Sequence, residues 1–232
     1  MDKINVGLIG FGTVGSGLVK VLNDNKDIIK DRVGADVVLS RIADKDTTTD
    51  RGVNTGSAVI TDNAEDVLND KDIDIVVELV GGTGIAKDFV LKAINNGKHV
   101  VSANKALLSA HGEEIFKAAA ANNVEVGFEA SVGGGIPIIK SLKEGLAANN
   151  IDSIYGIING TANYILTKMA NEGSAFDDVL KEAQELGYAE ADPTYDIEGN
   201  DTAHKLAILI NIAYGTYKTD KEIFTEGITE IT

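Results

Sequence analysis

The first fifteen residues restrict the fold more than any other stretch. Lys3–Ile9 is an almost unbroken apolar run, the signature of a strand buried on both faces. It passes directly into Gly10-Phe11-Gly12-Thr13-Val14-Gly15, and an apolar-periodic helix follows from Val14 to about Asn25. Strand, glycine turn and helix in that order make the first half of a βαβ unit. In G-x-G-x-x-G the first glycine permits the turn and the second lets a pyrophosphate approach the backbone. The third lets the helix pack on the strand, and the helix N-terminus favours the anion. Gly10, Gly12 and Gly15 therefore predict dinucleotide binding; the alternative is a packing turn in another doubly wound protein.

The rhythm continues. Strands are expected at Val37–Ala43, Asp74–Val80, Lys98–Ser102 and Val124–Phe128, with helices at Ile85–Asn96 and near Glu113–Asn122. Such alternation predicts an α/β class, an N-terminal Rossmann domain on a doubly wound parallel sheet. Glu129–Pro137 breaks the pattern and reads as a linker. At 232 residues, two modest domains are expected, 1–132 and 133–232. In the second, an α+β unit, helices are expected at Ile138–Ala148, Ala162–Asn171, Phe176–Leu186 and Asp201–Tyr214, and a strand at Ile151–Ile158. That strand, apolar along most of its length, predicts a sheet covered by helices on one face and a second copy on the other, hence a homodimer.

Charge and cysteine content exclude several functions. The 36 acids against 21 bases give a net charge of −15, which repels phosphate backbones and anionic lipid, so neither nucleic acid nor membrane is an expected partner. No cysteine is present, which removes disulfides, thiolate metal sites and aldehyde oxidation through a thiohemiacetal. No apolar run approaches the roughly 18 residues of a membrane span, and MDKINVGLIG lacks a basic leader, so a cytoplasmic location is expected.

At the expected ribose end, Arg41 and Asp44 flank the end of the second strand. An acid there suits a free 2′-hydroxyl and an arginine a 2′-phosphate, which leaves NAD and NADP both open. Toward the C-terminus, Leu186–Lys205 gathers Glu190, Asp192, Asp196, Glu198 and Asp201 ahead of an apolar helix that carries Lys205. Asp201 and Lys205 are four apart and share a helical face. They form either a surface ion pair worth about 0.3–0.5 kcal/mol, or a site whose acids hold an ammonium group and whose lysine supplies a proton. The histidines, His99, His111 and His204, read as structural.

Taken in order, GFGTVG, ANKALLSAHG, FEASVGGGIP, NGTANYIL and LGYAEADPTYDIEGNDTAHKLAIL resemble the homoserine dehydrogenase family, from Lys3 to about Ile231. The resemblance implies a Rossmann domain followed by a substrate and dimerisation domain. It also implies interconversion of L-homoserine and L-aspartate 4-semialdehyde with NAD or NADP, in threonine and methionine biosynthesis. Phe11, Thr13 and Val14 would line the cofactor, with Thr83 and Lys105 at the nicotinamide end. Gly160, Thr161, Glu190, Asp196 and Asp201 would hold the small-molecule substrate, Lys205 would donate the proton and Lys105 would assist. A sodium ion would be held by Glu129, Val132, Gly134 and Ile136, largely through carbonyls, as suits a hard cation; apart from the family, the three glycines there read as a hinge. Catalytic regions of the family are longer, whereas this sequence stops at Thr232.

Overall fold

The computed structural model describes residues 3–232. The chain forms two compact units, Met1–Ser131 and Val132–Thr232.

The first unit is built on six strands: β1 (Lys3–Ile9), β2 (Asp36–Ala43), β3 (Val59–Thr61), β4 (Ile75–Glu78), β5 (His99–Ser102) and β6 (Val126–Gly127). Their order is β3-β2-β1-β4-β5-β6, and every pairing is parallel. β1 is apolar because it lies in the middle. Leu8 has Ile42 of β2 on one side and Val77 of β4 on the other. Val6, Leu8, Ile42 and Val77 share one core with Phe11 and Val19. The register slips between Val6 and Gly7, where a Cβ on Gly7 would lie 2.5 Å from the Val67 side chain.

Helices α1 (Thr13–Asp24), α2 (Lys26–Val33), α3 (Glu65–Leu68), α4 (Ile85–Asn95) and α5 (Lys105–Asn122) connect the strands. In a parallel sheet all strands leave at one edge. The strand order reverses between β1 and β4, and a crevice opens there at the carboxyl ends. Two departures from the sequence expectations matter for the site. First, α5 begins at Lys105 rather than near Glu113, so Lys105 opens a helix. Second, the chain from β2 to β4 contains a short strand and a helical turn, β3 and α3, too brief to carry a period.

The second unit is helical: α6 (Ile138–Lys140), which runs on into a π turn at Ser141–Gly145, then α7 (Gly160–Glu172), α8 (Phe176–Glu185), α9 (Thr194–Ile197) and α10 (Asn200–Tyr214). Ile165, Val179, Ala183, Ala189 and Ile197 form its core. The strand expected at Ile151–Ile158 is not formed. A ladder needs a neighbouring strand, and this unit has none among the described residues, so the segment lies without sheet pairing. Its apolar side chains are left in the open, with Tyr155 92% and Ile157 76% exposed. No helix among the described residues is long and apolar enough to cross a membrane.

Candidate active site

The glycine turn of the first unit separates into three different physical cases. Gly10 has φ +100°, and a Cβ there would sit 2.6 Å from the Leu79 carbonyl. A Cβ on Gly15 would lie 2.2 Å from the Gly10 carbonyl oxygen. Both glycines are demanded by packing. Gly12 has an ordinary φ of −76°, caps α1 without a side-chain bond, and has open space where its Cβ would be. Nothing in the protein requires that glycine, so the space beside it suits a ligand.

Gly10 and Gly12 line a cavity of about 660 Å³ together with Asp44, Leu79 and Val80, at the point where the strand order reverses. Not every expected cofactor residue faces it. Phe11 is 5% exposed and its ring belongs to the core, while its N–H donates to Asp44 Oδ2 at 2.5 Å. Thr13 and Val14 are exposed on the first turn of α1. Arg41 is paired within the protein. Its guanidinium is held by Asp70 Oδ2 at 3.1 and 3.3 Å, because β2 carries the side chain toward the loop after α3. It does not line the cavity beside the glycine turn.

The end of that crevice expected to take the nicotinamide is organised by Glu78, which the sequence did not single out. Glu78, fully buried at the end of β4, accepts N–H bonds from Val80 (2.8 Å) and Gly81 (3.2 Å) and the Ser102 hydroxyl (2.7 Å). Ser102 in turn accepts the Asn104 N–H at 3.1 Å. The Asn104 side chain caps α5 through the Leu107 N–H and donates to the Gly82 carbonyl at 2.7 Å. This chain of bonds ties the turn before Thr83 to the first residue of α5, Lys105.

In the second unit a cavity of about 740 Å³ is lined by Gly160, Thr161, Asp196, Asp201 and Lys205, among others. Asn159, which the sequence analysis did not single out, lines it too. Buried at the start of α7, it caps the helix through Oδ1 and the Ala162 N–H (2.7 Å). Its Nδ2 donates to Asp196 Oδ1 at 2.7 Å and to Asp201 Oδ2 at 2.9 Å. One amide thus fixes two carboxylates side by side. Lys205 Nζ lies 2.7 Å from Asp201 Oδ2 and donates to the Ile158 carbonyl at 2.7 Å. With side-chain exposures of 6% and 17%, Asp201 and Lys205 are not a surface ion pair. An ammonium has three hydrogens, and these two partners leave a third for a ligand.

The acidic loop is held from behind. The Ile228 N–H reaches the Ile197 carbonyl at 2.8 Å, and Gly199, at φ +81°, allows Thr225 to approach to 2.7 Å from a notional Cβ. Tyr195, next to Asp196, bonds His204 Nδ1, and His204 Nε2 lies 3.4 Å from Asp220. Burial, followed by the charge of Asp201, pushes the Tyr195 phenol up to about 12, so it stays neutral. Glu190 is on the same loop, but its side chain is exposed and does not line the cavity.

Of the expected cation ligands, Glu129 opens a 3-10 turn (Glu129–Ser131) at the end of the first unit. In the second unit, Val132 is buried, Gly134 has φ +59°, and the Ile136 carbonyl accepts the Ile138 N–H at 2.8 Å. A Cβ on Gly133 would lie 2.8 Å from the Ile136 carbonyl oxygen.

Comparison with known proteins gives a consistent result. The family model described as homoserine dehydrogenase, NAD binding domain, matches residues 10–129, and that described as homoserine dehydrogenase matches 137–232. A homoserine dehydrogenase of Neisseria gonorrhoeae is 55% identical over the whole chain, which covers 53% of that relative. The crystal structure of a homoserine dehydrogenase from Thiobacillus denitrificans superposes with a TM-score of 0.93 at 53% identity, over all of this chain and 54% of that one. A hyperthermophilic archaeal homoserine dehydrogenase in complex with NADPH gives a TM-score of 0.82 at 28% identity, over 99% of this chain and 75% of that one. The chain spans about half the length of the curated relatives it matches.

Proposed function

The chain belongs to the homoserine dehydrogenase family, and from that premise we propose that it interconverts L-homoserine and L-aspartate 4-semialdehyde with NAD or NADP, in threonine and methionine biosynthesis. The observation that carries this reading is the cluster Asn159–Asp196–Asp201–Lys205. It sets two fixed carboxylates and an ammonium in one cavity, as an amino-acid substrate bearing an aldehyde or alcohol requires.

Asp196 and Asp201 take the substrate's α-ammonium group. The N-terminal turn of α7, at Gly160 and Thr161, offers amides to its carboxylate. The cofactor, when bound, supplies or accepts the hydride at the carbonyl carbon. Reduction leaves an alkoxide, and Lys205 gives it the proton not already used by Asp201 and Ile158, becoming a neutral amine that solvent recharges. Asp201 steadies the cationic form and aims it. Lys105, at the head of α5, orients the nicotinamide end together with Thr83. Glu129, Val132, Gly134 and Ile136 would hold a sodium ion in a structural role. A second copy of the chain covers the exposed Tyr155 and Ile157, giving a homodimer, and the enzyme works in the cytoplasm.

The test is turnover. The protein should reduce NAD or NADP in the presence of L-homoserine and oxidise the reduced cofactor with L-aspartate 4-semialdehyde. Binding of dinucleotide without either reaction would overturn the proposal.

A further inference from the structure

We propose that Glu78 is a positioning residue for Lys105, on the reading that Lys105 orients the nicotinamide end of the crevice. Glu78 is the last residue of β4 and is fully buried. Among the described residues no basic side chain pairs with it. Three uncharged donors alone offset its burial: the Val80 and Gly81 N–H groups on Oε1 and the Ser102 hydroxyl on Oε2. An acid kept in so costly a place calls for a role.

The turn after β4 owes its path to those bonds. Gly81 and Gly82 stand at φ +81° and +70°, with open space where a Cβ would be. Unlike Gly10 and Gly15, they meet no neighbour that would fix them by packing. Hydrogen bonds close a ring instead. Glu78 takes the Gly81 N–H, the Gly82 carbonyl takes Asn104 Nδ2, the Asn104 N–H reaches Ser102 Oγ, and the Ser102 hydroxyl returns to Glu78. Lys105 follows Asn104 directly and opens α5, while Val80 lines the cavity beside the glycine turn. One acid thus sets both a wall of that cavity and the backbone from which Lys105 leaves. A glutamine would have to turn its amide hydrogens toward Ser102 or toward two N–H groups, and either choice breaks the ring.

Two variants open the ring at different points. Asn104→Asp keeps the helix cap but sets an oxygen against the Gly82 carbonyl, and Glu78→Gln acts at the buried end. Titration with NADH and NADPH, followed by nicotinamide fluorescence, is expected to show Kd raised about threefold to tenfold in each, the worth of one hydrogen bond. With L-homoserine, kcat should fall by about 10², the cost of a small misplacement. Substrate KM should hold, because Asp196 and Asp201 are untouched. In a Lys105→Ala background neither variant should change Kd or kcat further, since residues that act through one another do not add. Losses that multiply in that background overturn the proposal, as does Asn104→Asp with the parent Kd and kcat. Should Glu78→Gln not fold, Asn104→Asp decides alone. Lys105→Ala at the parent Kd and kcat overturns the proposal together with the role given to Lys105. Dinucleotide binding without turnover removes the functional reading only, and the Kd comparison then decides for or against Glu78.

Discussion

Gly10, Gly12 and Gly15 are equivalent in the sequence and unlike in the structure, and the difference can be measured. Gly12→Val adds a side chain to open space at an ordinary φ, so the fold should hold while dinucleotide affinity falls. Gly15→Val drives a Cβ into the Gly10 carbonyl and should lower the melting temperature as well. Circular dichroism beside a cofactor titration separates the two, and equal affinity for Gly12→Val would place the nucleotide elsewhere. Asn159 gives a second residue-level test. Asn159→Ala removes a helix cap, about 1 kcal/mol, and strips a donor from two carboxylates, about 1–3 kcal/mol more. Asn159→Asp keeps the cap but sets a third carboxylate against Asp196 and Asp201. Chemical denaturation should therefore find Asn159→Ala destabilised, and steady-state assays should find substrate KM raised in both variants. An unaffected KM in Asn159→Asp would remove these acids from the substrate's path.

The tie between β2 and the loop after α3 is made by Arg41 and Asp70. The Asp70 carboxyl is held below its ordinary value of 3.8, first by the Asp72 N–H and then by Arg41. A carboxyl lowered in the folded state stabilises it fully above 3.8 and loses that contribution as pH falls toward its folded value. Melting temperature should thus drop as pH is lowered past about 4, and Asp70→Asn should show a shallower drop from a lower start. An unchanged slope in Asp70→Asn would mean the pair contributes nothing to acid stability. The same pair accounts for where Arg41 goes. Sequence position placed Arg41 at the ribose, but a long side chain goes where its nearest fixed acid is, and Asp70 lies 29 residues further on. β1, α1 and α10 were legible because their periods are long and their glycine or acidic flanks distinctive. The start of α5 was hidden because Gly112 and His111 interrupt its apolar pattern, although Asn104 is a good cap. Glu78 and Asn159 were missed because their roles lie in non-local bonds. An acid ending an apolar strand was the only available signal for Glu78, and an Asn before a helix the only one for Asn159.

The two units divide the labour proposed for the molecule, a dinucleotide crevice in one and an acid–lysine cavity in the other. The failed strand expectation at Ile151–Ile158 belongs at this scale too, since pairing partners for a strand are not encoded in the strand. Its exposed Tyr155 and Ile157 should be buried by a second copy. Light scattering at micromolar concentration is expected to give twice the chain mass of 24.4 kDa, and Ile157→Lys should shift it toward the monomer. A monomeric mass for the unaltered chain would contradict the dimer. The central claim is that Lys205, steadied by Asp201, gives the proton to the reduced carbonyl. Steady-state reduction of L-aspartate 4-semialdehyde by Lys205→Ala tests it most directly. The account predicts kcat lower by about 10² to 10⁴ with the dinucleotide Kd unmoved; turnover near the parent rate in Lys205→Ala, with Lys105→Ala inactive, would contradict it.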